Sequence, residues 1–201
     1  MPAPEAEPGR PAGAIALSPA AASAWGGLTG AADAKGPIWK AGAFRLDPFR
    51  SAPPMGELGE GPVIVAKARW LSERAFLLAR PAPVGLLLEG GASLEDVAED
   101  LPRFALVALM FPKFSDGRAF STARLLREKF AYRGELRAVG NVLSDQIPFM
   151  RRVGFDAFEV SHAPTRHALG RGALAEVTLY YQPVGAAAEP GTRPWLRGKR
   201  G

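Results

Sequence analysis

The chain has 201 residues, 47% of them hydrophobic, and no cysteine. That supports one sizeable core and excludes disulfides, thiolate zinc sites, Cys-ligated iron–sulfur clusters and Cys nucleophiles. The net charge of +5 is uneven: 9 Lys/Arg against 12 Asp/Glu over residues 1–102, 11 against 6 over 103–166, and 5 against 2 over 167–201. The central and C-terminal parts therefore suit an anionic ligand or an acidic protein partner. No recognised nucleic-acid motif accompanies the charge, and no apolar run approaches the roughly 18 residues of a membrane span. Neither nucleic acid nor a membrane is expected as a partner. The start, MPAPEAEPGR, has no basic n-region, so the expected location is the cytoplasm.

Residues 1–36 are Ala, Pro and Gly with few large apolar groups, and read as a disordered leader. Residues 37–182 read as a single α/β domain and 183–201 as a basic flexible tail. Within the domain, PVIVAKARWL (62–71) predicts a strand and SERAFLLA (72–79) a short helix capped by Ser72. VGLLLEG (84–90) predicts a second strand. In the GASLEDVAEDLPR that follows it, Ser93 and Asp96 form a weak capping box. FALVALMF (104–111) is continuously apolar, as a strand covered on both faces would be.

Phe120, Ala123, Leu126 and Phe130 recur at helical spacing over 118–131, with Arg118, Arg124, Arg127 and Lys129 largely off that face. Arg133-Gly134 is the expected stop. GELRAVG (134–140) predicts a fourth strand, and SDQIPFMRRVG a short helix with Ser144 or Asp145 as cap and Pro148 in its first turn. FDAFEVS (155–161) and AEVTLYYQ (175–182) predict a fifth and a sixth strand. The expected fold is thus α/β: a mainly parallel sheet of about six strands with crossover helices, either open and doubly wound or partial TIM-like.

Ligands of such folds sit beyond the carboxyl ends of the strands. Three polar turns lie there: PKFSDGR (112–118), NVLSDQ (141–146) and SHAPTR (161–166). Together they nominate an anion site of Lys113, Asp116, Arg118, Asn141, Asp145, Gln146 and His162. The free N–H groups of the helix after Gly117 would add to it. Asp116 has two available jobs there, to cap the helix or to orient Arg118. Asp145 and Gln146 equally suit a plain helix start. His162 and His167, five residues apart, make no metal site. No dinucleotide fingerprint, Walker A sequence or nucleophile elbow occurs, and GELGEG (56–61) precedes a strand. No catalytic residue and no cofactor are assigned.

FPKFSDGR, ARLLRE, YRGELRAVG and GFDAFEV, within 111–160, resemble in combination a bacterial family of unknown function. The resemblance runs from about Trp39 to Gln182. Its members are usually described as probable oxidoreductases of sulfite reduction, because their genes accompany assimilatory sulfite reductase. The resemblance implies a role in sulfite or sulfate assimilation. With the polar turns it gives the expectation of an accessory protein that binds a small sulfur oxyanion, or docks to a sulfite reductase subunit, through turns 112–118 and 141–146. The alternatives are an enzyme acting on an anionic small molecule, with Asp116 or Asp145 as acid/base, and a purely structural interaction domain. The resemblance supplies no verified catalytic site. Ala119, Pro148 and Val153 depart from the family's usual Gly, aromatic or aliphatic residue, and Cys. A chain without cysteine is not the sirohaem/iron–sulfur catalytic subunit itself.

Overall fold

The computed structural model describes residues 37–113 and 115–174. The expected leader, the expected strand over 175–182 and the expected basic tail lie outside them. In chain order the elements are β1 (Ile38–Lys40), β2 (Ala43–Arg45), β3 (Arg50–Ser51), β4 (Val63–Ala66), α1 (Lys67–Ser72), α2 (Arg74–Leu78), β5 (Val84–Glu89), a 3-10 helix (Glu95–Arg103), β6 (Leu106–Phe111), α3 (Arg118–Glu128), β7 (Glu135–Gly140), α4 (Ile147–Arg152), β8 (Ala157–Glu159) and α5 (Ala163–Gly170).

The strands form one eight-stranded sheet in the order β2-β1-β8-β7-β6-β5-β4-β3. The neighbours from β3 to β8 pair in parallel, and β1 joins β8 and β2 antiparallel. The fold is therefore α/β and mainly parallel, with more strands than the six expected. The parallel strands follow one another in sequence order, without the reversal that defines a doubly wound sheet. The sheet curls, but β2 and β3 lie at opposite ends of the order, so among the described residues it stays open.

Same-handed crossovers between sequential neighbours put every helix on one face. The main core records this. Val65, Leu86, Val107, Leu109, Leu136 and Phe158 from alternate strand positions pack with Leu77, Val97, Leu101, Ala123, Leu126, Ile147, Met150 and Leu169 from the helices. The other face carries Ile64, Leu87, Leu106, Ala108, Met110 and Val139, with Phe49 against them. A Cβ on Gly85 would come within 2.8 Å of Leu106 Cγ there, so only a glycine lets the strands curl so closely.

The segment between β2 and β3 straps that second face. Arg137 projects into it from β7 and pairs with Asp47 at 2.6 Å and Glu135 at 2.7 Å, while Lys40 reaches Glu135 at 2.6 Å. The side chains of Arg137 and Asp47 are 1% and 0% exposed. Burial pushes the Glu135 carboxyl up, but Arg137 and Lys40 outweigh it and hold it below its usual value.

Several boundaries differ from expectation. The 62–71 strand is only Val63–Ala66, and the helix begins at Lys67, because Arg69 and Trp70 turn inward at helical spacing. Ser72 ends that helix instead of capping the next, with its hydroxyl donating to the Arg69 carbonyl at 3.1 Å. Ser93 does not cap: Leu94 precedes the 3-10 helix, and the Ser93 carbonyl accepts from Lys67 at 2.6 Å. Neither Ser144 nor Asp145 caps α4, which starts after Gln146 without a side-chain cap. Helix α3 ends at Glu128 instead of Arg133-Gly134. The chain turns through Ala131 (φ 50°), and the Tyr132 amide donates back to the Leu126 carbonyl at 2.8 Å.

Strands β1, β2 and β3 were not anticipated. The β1–β2 hairpin turns at Ala41 and Gly42, both at positive φ (51° and 80°) as a two-residue primed turn requires, but Ala-Gly is not a recognised signature for it.

Candidate functional site

At the carboxyl edge, two of the three nominated turns are locked together. The Asn141 amide donates to the Phe111 carbonyl at 2.8 Å, carrying the β6–β7 ladder one step past the strand ends. Gly140 makes this approach possible. Its φ is +93°, and a Cβ there would meet the Phe111 carbonyl oxygen at 2.6 Å. The aromatic rings repeat the connection: Phe120 lies 5.3 Å from Phe111 and 4.8 Å from Phe149 between ring centroids.

The first turn is built around Asp116. Its Oδ1 accepts from the Arg118 amide at 3.2 Å and from Arg118 Nε at 2.9 Å, while Oδ2 accepts from Nη2 at 2.6 Å. Of the two expected jobs it does the second, holding the guanidinium in a two-pronged grip; the N-cap of the helix is Gly117, without a side-chain cap, although Asp116 still accepts the first helical N–H. The Arg118 hydrogen bonds hold the Asp116 carboxyl below the usual carboxylate range, against a smaller opposing effect of burial. Asp116 in turn raises the Arg118 pKa, although the Arg118 side chain is 67% exposed.

The helix start is less open than expected. The Arg118 amide is taken by Asp116, and the Phe120 amide donates to the Gly117 carbonyl at 3.1 Å. The Gly90-Gly91 turn after β5 lies across the same end. A Cβ on Gly90 would meet the Ala119 amide nitrogen at 2.8 Å, and the Gly91 amide donates to Thr122 Oγ1 at 3.1 Å.

Lys113 is exposed, and its ammonium has no partner among the described residues. Asn141 and Asp145 are also exposed, on the second turn, and Gln146 is half-buried at the start of α4. His162 stands apart in role: it precedes α5, and its Nδ1 lies 2.9 Å from Thr165 Oγ1, so the ring is engaged with its own helix. Among the described residues, no three or more His, Cys, Asp or Glu side chains come together to hold a metal ion. No described helix is long and apolar enough to cross a membrane.

Sequence reasoning missed two arginines. By its spacing Arg127 lies largely off the apolar face of the helix, with no role assigned to it. Its guanidinium instead donates to the carbonyls of Tyr132, Gly134 and Gly154 and pairs with Asp156 at 2.6 Å. Arg137 was not singled out, although its place two residues after Glu135 in a strand puts both on one face and signals a charged pair.

No curated protein matches the chain. The family model described as "Bacterial protein of unknown function (DUF934)" matches residues 85–192, more than half of the sequence. That span takes in β5 to β8 and both locked turns, and excludes the β1–β2 hairpin that completes the sheet beside β8. The chain belongs to the bacterial protein family of unknown function DUF934.

Proposed function

We propose that the protein is an accessory factor of assimilatory sulfite reduction that binds a small sulfur oxyanion at the carboxyl edge of its sheet, between turns 112–118 and 141–146. The observation that supports this reading is the Asn141–Phe111 hydrogen bond, which joins the starts of the two turns. The sulfur assignment comes from the resemblance of FPKFSDGR, ARLLRE, YRGELRAVG and GFDAFEV to that family.

The cationic groups differ in readiness. Lys113 offers an ammonium that has no partner among the described residues. Arg118 offers a planar fork suited to oxyanions, but Asp116 already fills it, much as an oxyanion would. An incoming anion must displace that carboxylate or share the guanidinium with it. Binding is therefore weak and selective for divalent oxyanions over monovalent ones. An enzyme in which Asp116 acts as general acid fits less well, because Arg118 keeps that carboxyl ionised.

Thermal melts in sulfite, sulfate, phosphate and chloride at matched ionic strength test the reading. The divalent oxyanions should raise the midpoint and chloride should not. Lys113→Gln and Arg118→Gln should each remove the rise, while Asp116→Asn, which relieves the competition, should leave it as large or larger. An unchanged midpoint in all four salts rejects the site.

A further inference from the structure

We propose that Thr122 is a positioning residue for the oxyanion site: it clamps the turn after β5 to the start of α3 and so fixes the stem of Arg118 independently of Asp116. The inference rests on the oxyanion reading and adds a third segment to that site, residues 89–92.

Thr122 is 3% exposed, and its hydroxyl is used twice. Oγ1 accepts from the Gly91 amide at 3.1 Å and donates to the Arg118 carbonyl at 3.2 Å. A threonine inside a helix often donates to the carbonyl four residues back, so the second bond alone would mean little. The first is different, because its donor lies 31 residues away, on the exit of β5. One buried hydroxyl thus ties that exit to the residue that carries the guanidinium.

The turn it holds is stiff. The Ala92 amide donates to the Glu89 carbonyl at 3.1 Å, and Gly91 has a φ of +81°, the positive value a type II turn requires at its third residue. The Arg118 stem runs along this turn. A Cβ on Gly91 would lie 3.4 Å from Arg118 Cδ, 3.7 Å from its Cβ and 3.9 Å from its Cγ, and a Cβ on Gly90 would lie 3.3 Å from Arg118 Cβ.

Arg118 is therefore held at its carbonyl by Thr122, along its stem by Gly90-Gly91 and at its head by Asp116. This matters for the exchange that binding requires. An anion that displaces the Asp116 carboxylate releases only the head. The stem stays where the turn puts it, so the guanidinium loses little further freedom when it takes the new oxygens. Without the clamp, a long side chain that is 67% exposed would swing into water once the carboxylate let go.

The test uses the full chain, with sulfate as the probe, titrated at constant ionic strength well below the melting range and followed by the NMR shift of the Arg118 Nε–H group. Thr122→Val keeps the shape and removes the hydroxyl. Its unliganded midpoint should fall, because the Gly91 amide loses its acceptor. Its sulfate affinity should also fall, by roughly 5- to 10-fold, which a purely structural hydroxyl would not cause. Thr122→Ser, which restores the hydroxyl, should bind sulfate as the native chain does. A second measurement needs no change at Thr122: in Asp116→Ala, carbon relaxation at Arg118 Cδ should stay as restricted as in the native chain. The inference is overturned if Thr122→Val binds sulfate as tightly as the native chain, or if Arg118 Cδ becomes mobile in Asp116→Ala. A native chain that does not respond to sulfate at all overturns the oxyanion reading itself, and this inference with it.

Discussion

Helix α3 carries Arg118 at its first residue and Arg127 near its last, and the same side chain behaves differently at the two ends. Arg127 is 20% exposed and bridges three backbone carbonyls and Asp156, tying the helix exit to the chain around β7 and β8. Arg118 is 67% exposed and, among the described residues, its guanidinium holds Asp116, two residues away. A guanidinium that satisfies otherwise buried carbonyls is part of the fold. One that holds a local carboxylate in water contributes little to stability and stays available to a ligand. Residue type does not separate the two, but the identity of the acceptors does.

The comparison can be broken at its middle or sharpened at either end. Leu126 is fully buried between helix and sheet, one residue before Arg127. Leu126→Ala should lower stability in denaturant unfolding by about 2–5 kcal/mol, the largest effect expected on this helix. Arg127→Ala should follow at about 2–3 kcal/mol, because the carbonyls of Tyr132, Gly134 and Gly154 lose their donor. A cost below that of an ordinary surface substitution would show that the clamp is ornamental.

The other end should respond to pH and hardly at all in stability. The folded Asp116 pKa is depressed, so the Asp116–Arg118 pair is complete above the unfolded value of about 3.9 and is lost as pH falls through the lower folded value. An NMR titration of the Asp116 carboxyl should show a midpoint below that of a free Asp, and Arg118→Gln should return it upward. The unliganded melt of Arg118→Gln should match the native one. Smallest of all, Arg124→Ala should cost under about 0.5 kcal/mol, since its ion pair among the described residues is the exposed one with Glu128.

Leu126 and Ala123 were legible as buried from their spacing alone, and the structure leaves both fully buried. The β6 run was equally legible, because a strand with every residue buried needs an unbroken apolar sequence. Of the nominated site, the juxtaposition of turns 112–118 and 141–146 was legible because they follow strands that are neighbours in sequence, which tend to be neighbours in a sheet. The Asp116–Arg118 pairing follows from their closeness in the chain. His162 was the weakest nomination: His-Ala-Pro-Thr reads as a polar turn, but the ring is taken by Thr165 three residues on. The closing of the α3 start by Gly90-Gly91 had no local signal, since it depends on a contact between segments nearly thirty residues apart.

The sequence by itself determined the class of fold, the central strands and the buried stripe of α3, because hydrophobic periodicity is a local property. It also determined the exclusion of thiol chemistry, because composition decides that outright. Only the tertiary structure decided that the parallel strands stand in sequence order, that a β1–β2 hairpin extends the sheet beyond β8, and that Asp47 straps the second face by pairing with Arg137. Each of these joins residues far apart in the chain. The free energy that fixes them comes from burial and ion pairing that exist only once the sheet is assembled, so no short window of sequence carries them.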